Sequence, residues 1–254
     1  MNLFKMNIVI YSLLILLISC SEEHGAPVSM DEASFGSQTP EPKVSKIWPF
    51  ISDASGQNVS PKLLIDNIYI VFDGSGSMGD RGCSSGQPKI NVAREAFKEF
   101  LKEVPTQFNV GLHVFDGRGN HERVKLGINN RDSLINAVET IVPRSGTPLG
   151  PAIESAYQQI TSQAQFQLGY GQYHVVIITD GIANSGHEPD GIVSKILSES
   201  PVMVHTIGFC VDETHALNQP GKTIYKTATD KRSLTEGLQG VLAEAPEYSV
   251  DAFN

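Results

Sequence analysis

An aspartate and two serines at two-residue intervals, Asp73-Gly74-Ser75-Gly76-Ser77, close the apolar run Ile68-Tyr69-Ile70-Val71-Phe72. A carboxylate and two hydroxyls brought to one point are oxygen donors, the hard ligands that Mg²⁺ and similar cations prefer. An unbroken apolar run reads as a strand buried on both faces, and open α/β folds place ligands in the loops at the carboxyl ends of such strands. A second run, Val175-Val176-Ile177-Ile178-Thr179, ends the same way in Asp180-Gly181. Asp180 is therefore expected at the end of a strand beside the one that ends at Asp73. Between them, Arg144-Ser145-Gly146-Thr147-Pro148-Leu149 precedes a helical stripe and offers the Thr147 hydroxyl. The chemistry these residues suggest is a divalent cation held by two acids and three hydroxyls.

Other chemistries fit less well. Residues 74–79 spell G-x-G-x-x-G after a strand, the dinucleotide fingerprint. That fingerprint needs a helix to open within it, so that the helix amino end faces the pyrophosphate. Here the loop-like stretch 80–88 intervenes and the helical pattern begins only near Lys89. Asp73 would also oppose the phosphates, and the next strand ends near Asp116 with no acid at the ribose position, so no nucleotide is expected. His113, His121, His174, His187, His205 and His215 form no H-E-x-x-H pattern, and no G-x-S-x-G or phosphate loop is present. Asp116, Asp212 and Glu213 fall at strand ends too, where solvated loop acids are the ordinary case.

The ordered set D-x-S-x-S, then Thr-Pro-Leu, then Thr-Asp-Gly resembles the von Willebrand factor type A domain and its metal-ion-dependent adhesion site, over roughly residues 63–245. The resemblance implies that Asp73, Ser75, Ser77, Thr147 and Asp180 hold Mg²⁺, with Mn²⁺ or Ca²⁺ as alternatives. It further implies that an exposed Asp or Glu of a protein partner takes the open coordination position, in a binding role without catalysis. Two carboxylates give enough charge to hold the ion, while neutral hydroxyls leave it a field that attracts an acid. Gly74 and Gly76 are read as supplying the backbone angles that turn both serines inward. A metal-assisted hydrolase is the alternative, weakened by the lack of a general base. A structural module with a vestigial site is the other.

Positioning such a site takes alternating strands and helices. Ala93, Ala96, Phe97, Phe100, Leu101 and Val104 follow helical spacing before Pro105; Leu134, Ile135, Val138 and Ile141 form a second stripe. Ile153, Ala156, Tyr157 and Ile160 form a third, Ile192, Val193, Ile196 and Leu197 a fourth. Leu234, Leu238, Val241 and Leu242 close the series, with a cap near Ser233. Strands are predicted over 110–115, 173–179, 202–209 and 223–227, and the alternating Glu122-Arg123-Val124-Lys125-Leu126 suits a half-exposed edge strand. The fold class is thus α/β, doubly wound, with a mostly parallel sheet, one short antiparallel edge strand and helices on both faces.

The remainder of the chain concerns its address. Residues 1–19 carry Lys5 and an apolar core from Ile8 to Ile18, too short for a stable span and suited to a signal peptide. The core ends in Leu17-Ile18-Ser19-Cys20, which resembles the lipobox of bacterial lipoproteins and implies lipid on Cys20 and anchoring to a cell-envelope membrane. Residues 20–62, rich in Ser, Pro, Glu and Gly, read as a flexible tether in which Ile47-Trp48-Pro49-Phe50-Ile51 is an apolar island expected to dock on the domain. Residues 246–254 form a tail. With Cys20 lipidated, Cys83 and Cys210 are left for an oxidising compartment; both fall in loops at strand carboxyl ends and are a candidate disulfide. The formal charge of −9 becomes −10 without residues 1–19, whose one charged side chain is Lys5. That acidic balance, without a basic cluster, argues against nucleic acid as partner.

Overall fold

Parallel strands buried on both faces organise the structure, a computed structural model that describes residues 48–51 and 58–243. The expectations for Cys20, for residues 1–19, for most of the tether and for the tail lie outside the described residues. The strands are β1 (Asn67–Asp73), β2 (Asn109–Asp116), β3 (Gly119–Gly127), β4 (Tyr173–Thr179), β5 (Met203–Phe209) and β6 (Ile224–Ala228). Their order in the sheet is β3-β2-β1-β4-β5-β6, and β3 alone runs antiparallel, at the edge beside β2. Because β2 and β4 pair with opposite sides of β1, the chain reverses its direction of sheet growth there. Ligands of doubly wound sheets sit at such a reversal, at the strand carboxyl ends.

Successive residues of a strand point to opposite faces, so a strand covered on both sides needs apolar residues at every position. On one face Ile68, Ile70 and Phe72 pack with Phe97 and Phe100 of α1 (Lys89–Glu103), Leu134 of α2 (Arg131–Glu139), and Leu234 and Leu238 of α5 (Lys231–Ala243). On the other, Tyr69 and Val71 pack with Ile153, Ala156 and Ile160 of α3 (Leu149–Phe166) and with Val193 and Ile196 of α4 (Asp190–Glu199). Phe72 and Phe97 meet edge to face at 5.7 Å between ring centroids, a favoured aromatic geometry.

Two local details differ from the sequence reading. The cap of α5 is Asp230 rather than Ser233: Asp230 Oδ1 accepts from Ser233 N at 2.7 Å, and Ser233 Oγ in turn accepts from Asp230 N at 3.1 Å. This reciprocal pair satisfies two backbone donors at once, as in a capping box. The second difference concerns Gly74 and Gly76, neither of which has a positive φ. Gly74 is required for space, since a Cβ there would lie 2.6 Å from Ile141 Cγ2 and 2.7 Å from Asp116 Cβ, whereas at Gly76 the nearest neighbour, Ser145 O, is 3.7 Å away. The described part of the apolar island packs on the domain: Trp48 meets Tyr173 edge to face at 5.1 Å, and Gln165 Nε2 donates to Phe50 O at 3.0 Å.

Candidate metal centre

Three loops at the carboxyl ends of β1 and β4 and before α3 bring the five expected side chains together. After β1 the chain turns through a short 3-10 segment, Gly76–Gly79, which Met78 anchors by burying its side chain completely in the core. Asp73, fully buried, accepts from Ser75 N at 2.7 Å on Oδ1 and from Thr179 Oγ1 at 2.6 Å on Oδ2. Ser75 Oγ and Ser77 Oγ lie 3.0 Å apart, and Ser77 Oγ donates to Asp180 Oδ1 at 2.8 Å. Hydrogen bonds thus join the first loop to the third. The second loop closes the ring: a Cβ on Gly181 would stand in ordinary contact with Thr147 Oγ1, at 3.5 Å, and with Ser77 Oγ, at 3.7 Å, so both hydroxyls lie close to the backbone of the third loop.

Burial and the nearby charge of Asp180 push the Asp73 carboxyl up to about 6, against the opposing hydrogen bonds from Ser75 and Thr179. A carboxylate raised in this way lacks positive charge, and a bound cation would supply it. The donor chemistry fits a small hard cation: two carboxylates and three hydroxyls. Among the described residues, no group of three or more His, Cys, Asp and Glu side chains converges to hold an ion, and the candidate centre relies instead on two acids with hydroxyls. A positive charge already reaches this place, since Lys89 Nζ lies 2.8 Å from Asp180 Oδ2.

Several residues beyond the five expected donors set this geometry. Lys89 and Thr179 contact the two acids directly. Asn184 fixes the Thr147 loop from both sides: its Oδ1 accepts from Thr147 N at 3.1 Å, and its backbone N donates to Thr147 O at 3.0 Å. His215 holds the third loop; its Nδ1 accepts from Leu217 N, which leaves Nε2 to donate to Gly181 O at 2.9 Å. Of these, Thr179 belongs to the Thr-Asp-Gly segment, while no motif flags Lys89, Asn184 or His215. Asp116, by contrast, is neither a solvated loop acid nor free to flank an ion. It is buried, paired with Arg123 at 2.6 Å and Arg118 at 3.6 Å, and accepts from Val142 N at 3.0 Å. Asp212 and Glu213 are exposed, and Asp212 accepts from Thr214.

The excursion 80–88 between β1 and α1 is pinned. Cys83 and Cys210 are joined as a disulfide with Cα atoms 6.0 Å apart, tying the loop after β1 to the end of β5. Cys83, Ser85 and Cys210 all adopt positive φ, an uncommon conformation for side-chain-bearing residues that the cross-link and the turn hold in place. Ile182, two residues after Asp180, is 81% exposed.

A doubly wound α/β domain with a carboxylate-and-hydroxyl site at the reversal of its sheet is the class this fold and site define. Residues 67–239 match the von Willebrand factor type A domain family, and the chain belongs to it. It is similar to YwmD of Bacillus subtilis (strain 168), an uncharacterized protein, at 27% identity over 176 residues that cover 64% of this chain and 76% of that one. Among solved structures it resembles the PilB minor pilin of Streptococcus sanguinis (TM-score 0.57, 14% identity), over 73% of this chain and 62% of the pilin. It also resembles the pilus adhesin SpaC of Lactobacillus rhamnosus GG (TM-score 0.55, 17% identity), over 75% of this chain and 31% of the adhesin. At these identities the likeness to the two pilus proteins is one of fold, and this chain spans less than two thirds of either.

Proposed function

We propose that this chain is a metal-ion-dependent protein-binding domain of the cell envelope. The observation that carries the reading is the convergence of Asp73, Ser75, Ser77, Thr147 and Asp180 from three separate loops on one point at the end of the sheet. Bound there, Mg²⁺, or Mn²⁺ or Ca²⁺ in its place, supplies a Lewis-acidic centre that a carboxylate oxygen of a partner can share. The work of the chain is to hold the donors ready. Asp73 is fixed by Ser75 N and Thr179, Asp180 by Ser77, and Thr147 by Asn184. Ile182, exposed beside Asp180, offers an apolar shoulder to the same partner. The descriptions of SpaC as a pilus adhesin and of PilB as a minor pilin support a binding role at the cell surface. Lipid on Cys20 would hold the domain to the membrane.

Calorimetric titration of Mg²⁺ tests the site. Wild type should bind, and Asp73→Ala should abolish binding while circular dichroism shows the fold intact. Thr147→Ala should lower metal affinity less than Asp73→Ala does. Equal affinity in wild type and Asp73→Ala would put the cation elsewhere. A pull-down from native envelope in Mg²⁺ against EDTA would then identify the acidic partner.

A further inference from the structure

Lys89 is the first residue of α1, and its ion pair with Asp180 is almost wholly out of water: the lysine side chain is 11% exposed and the aspartate side chain 0%. Lysine is seldom buried unless paired, and a cation at a helix amino end sits against the helix dipole. Neither helix stability nor solubility explains it there. Its partner does, because Asp180 Oδ2 faces Lys89 while Oδ1 accepts from Ser77 Oγ, so both oxygens of the acid are committed. The position of Lys89 is set by the excursion before it. Lys89 N donates to Asp80 O at 2.9 Å, closing residues 80–88 into a loop that Cys83 ties to Cys210.

We propose that Lys89 is a built-in counter-charge of the metal centre, which holds Asp180 in place, moderates cation affinity and leaves the loaded site positive. The inference rests on the metal-dependent reading given above. Two ionised carboxylates and a divalent cation sum to zero, and an uncharged centre draws a partner carboxylate only through the open coordination position. With Lys89 the same centre carries one positive charge, which an arriving carboxylate neutralises. Like charges at short range repel, so the lysine also weakens binding of the ion itself. Affinity for the metal is lowered and attraction for the ligand acid is raised by one side chain.

Lys89→Met keeps most of the volume and removes the charge, and Lys89→Arg keeps the charge. Titrated with Mg²⁺ by calorimetry, Lys89→Met should bind at least about tenfold tighter than wild type, while Lys89→Arg stays near wild type. In EDTA, Lys89→Met should melt below wild type, and Mg²⁺ should raise its midpoint by more. Acetate, added as a carboxylate probe to the Mg²⁺-loaded proteins, should bind more weakly to Lys89→Met. If Lys89→Met does not fold in EDTA, Lys89→Gln, which keeps a hydrogen-bond donor, replaces it in every arm. Equal or weaker Mg²⁺ affinity on loss of the charge overturns the proposal alone. Mg²⁺ binding by Lys89→Met but not by wild type supports the proposal and defeats the metal-dependent reading of the natural protein. Binding by neither overturns both.

Discussion

Asp73 shows what the site costs the domain. Its carboxylate is buried and faces a second acid, and two hydrogen bonds offset this only in part, as its upward shift to about 6 records. Asp73→Asn removes the charge and keeps the shape, so in EDTA it should melt at or above wild type, while losing any rise in midpoint on adding Mg²⁺. A clear fall in EDTA would mean that the bonds from Ser75 and Thr179 outweigh repulsion and desolvation. A second buried pair sets an acid limit. His174 Nδ1 and His205 Nε2 lie 3.0 Å apart on neighbouring strands, and burial holds both imidazoles well below their ordinary 6.5, with His205 adding repulsion to His174. The folded protein keeps them neutral while the unfolded chain takes up protons, so their contribution is present above pH 6.5 and lost as pH falls below it. Stability should drop by several kcal/mol towards pH 4 on this account, about 1.4 kcal/mol per pH unit for each group, and His205→Gln should flatten the slope in denaturant titrations. Equal slopes would assign acid sensitivity to other groups. The places of the five candidate donors in loops at strand ends and before a helix were legible because each acid or hydroxyl follows an apolar run or precedes a helical stripe. Lys89, Asn184 and His215 were not, because their partners lie 34 to 91 residues away in the chain and nothing local marks them, and Thr179 was marked only as part of its Thr-Asp-Gly segment.

At the scale of elements, nearly continuous apolar runs gave β1 and β4 almost to the residue, since both faces of each strand are covered and only His174 of β4 interrupts the pattern between the strand ends. The edge strand β3 was legible for the opposite reason, its mixed exposure following its alternating sequence. Local capping was less legible: Asp230 and Ser233 are both competent caps, and only the hydrogen bonds assign the order. The loop elements depend on close approach. Gly74→Ala would drive a methyl group into Ile141 and Asp116 and should cost about 1–3 kcal/mol, with the damage falling on the first site loop and therefore on metal affinity as well. A change in neither the denaturation midpoint nor the Mg²⁺ titration would show that β1 and β2 yield freely. The cross-link between Cys83 and Cys210 encloses a sequence separation of 127 residues, for which chain entropy gives a stabilisation on the order of 4 kcal/mol. Reduction, or Cys210→Ala, should lower the unfolding midpoint accordingly, and a midpoint indifferent to reductant would show that the cross-link contributes nothing.

For the whole molecule, the sheet order brings the centre to one end and the described N-terminal segment to the other. Cys20→Ser should shift the protein from the membrane to the soluble fraction or leave the precursor uncleaved; unchanged retention with normal processing would count against a lipid anchor. Trp48 rests on Tyr173 at the amino end of β4, and β1 begins at Asn67 close by, its amide donating to Gln172 O at 2.9 Å. From Asn67 to Asp73 the chain then runs straight to the first site loop. That arrangement has a mechanical meaning. A pull between the N-terminal side of the domain and a ligand gripped at Asp73–Ser77 is borne along seven residues of covalent backbone, the central strand itself. The Trp48 contact peels first under such a load, but the hydrogen bonds that join β1 to β2 and β4 lie across the line of tension rather than along it. With the proposed anchor and metal-bound grip in place, the domain would be stiff between them, and a bond to a partner should give way before the sheet does.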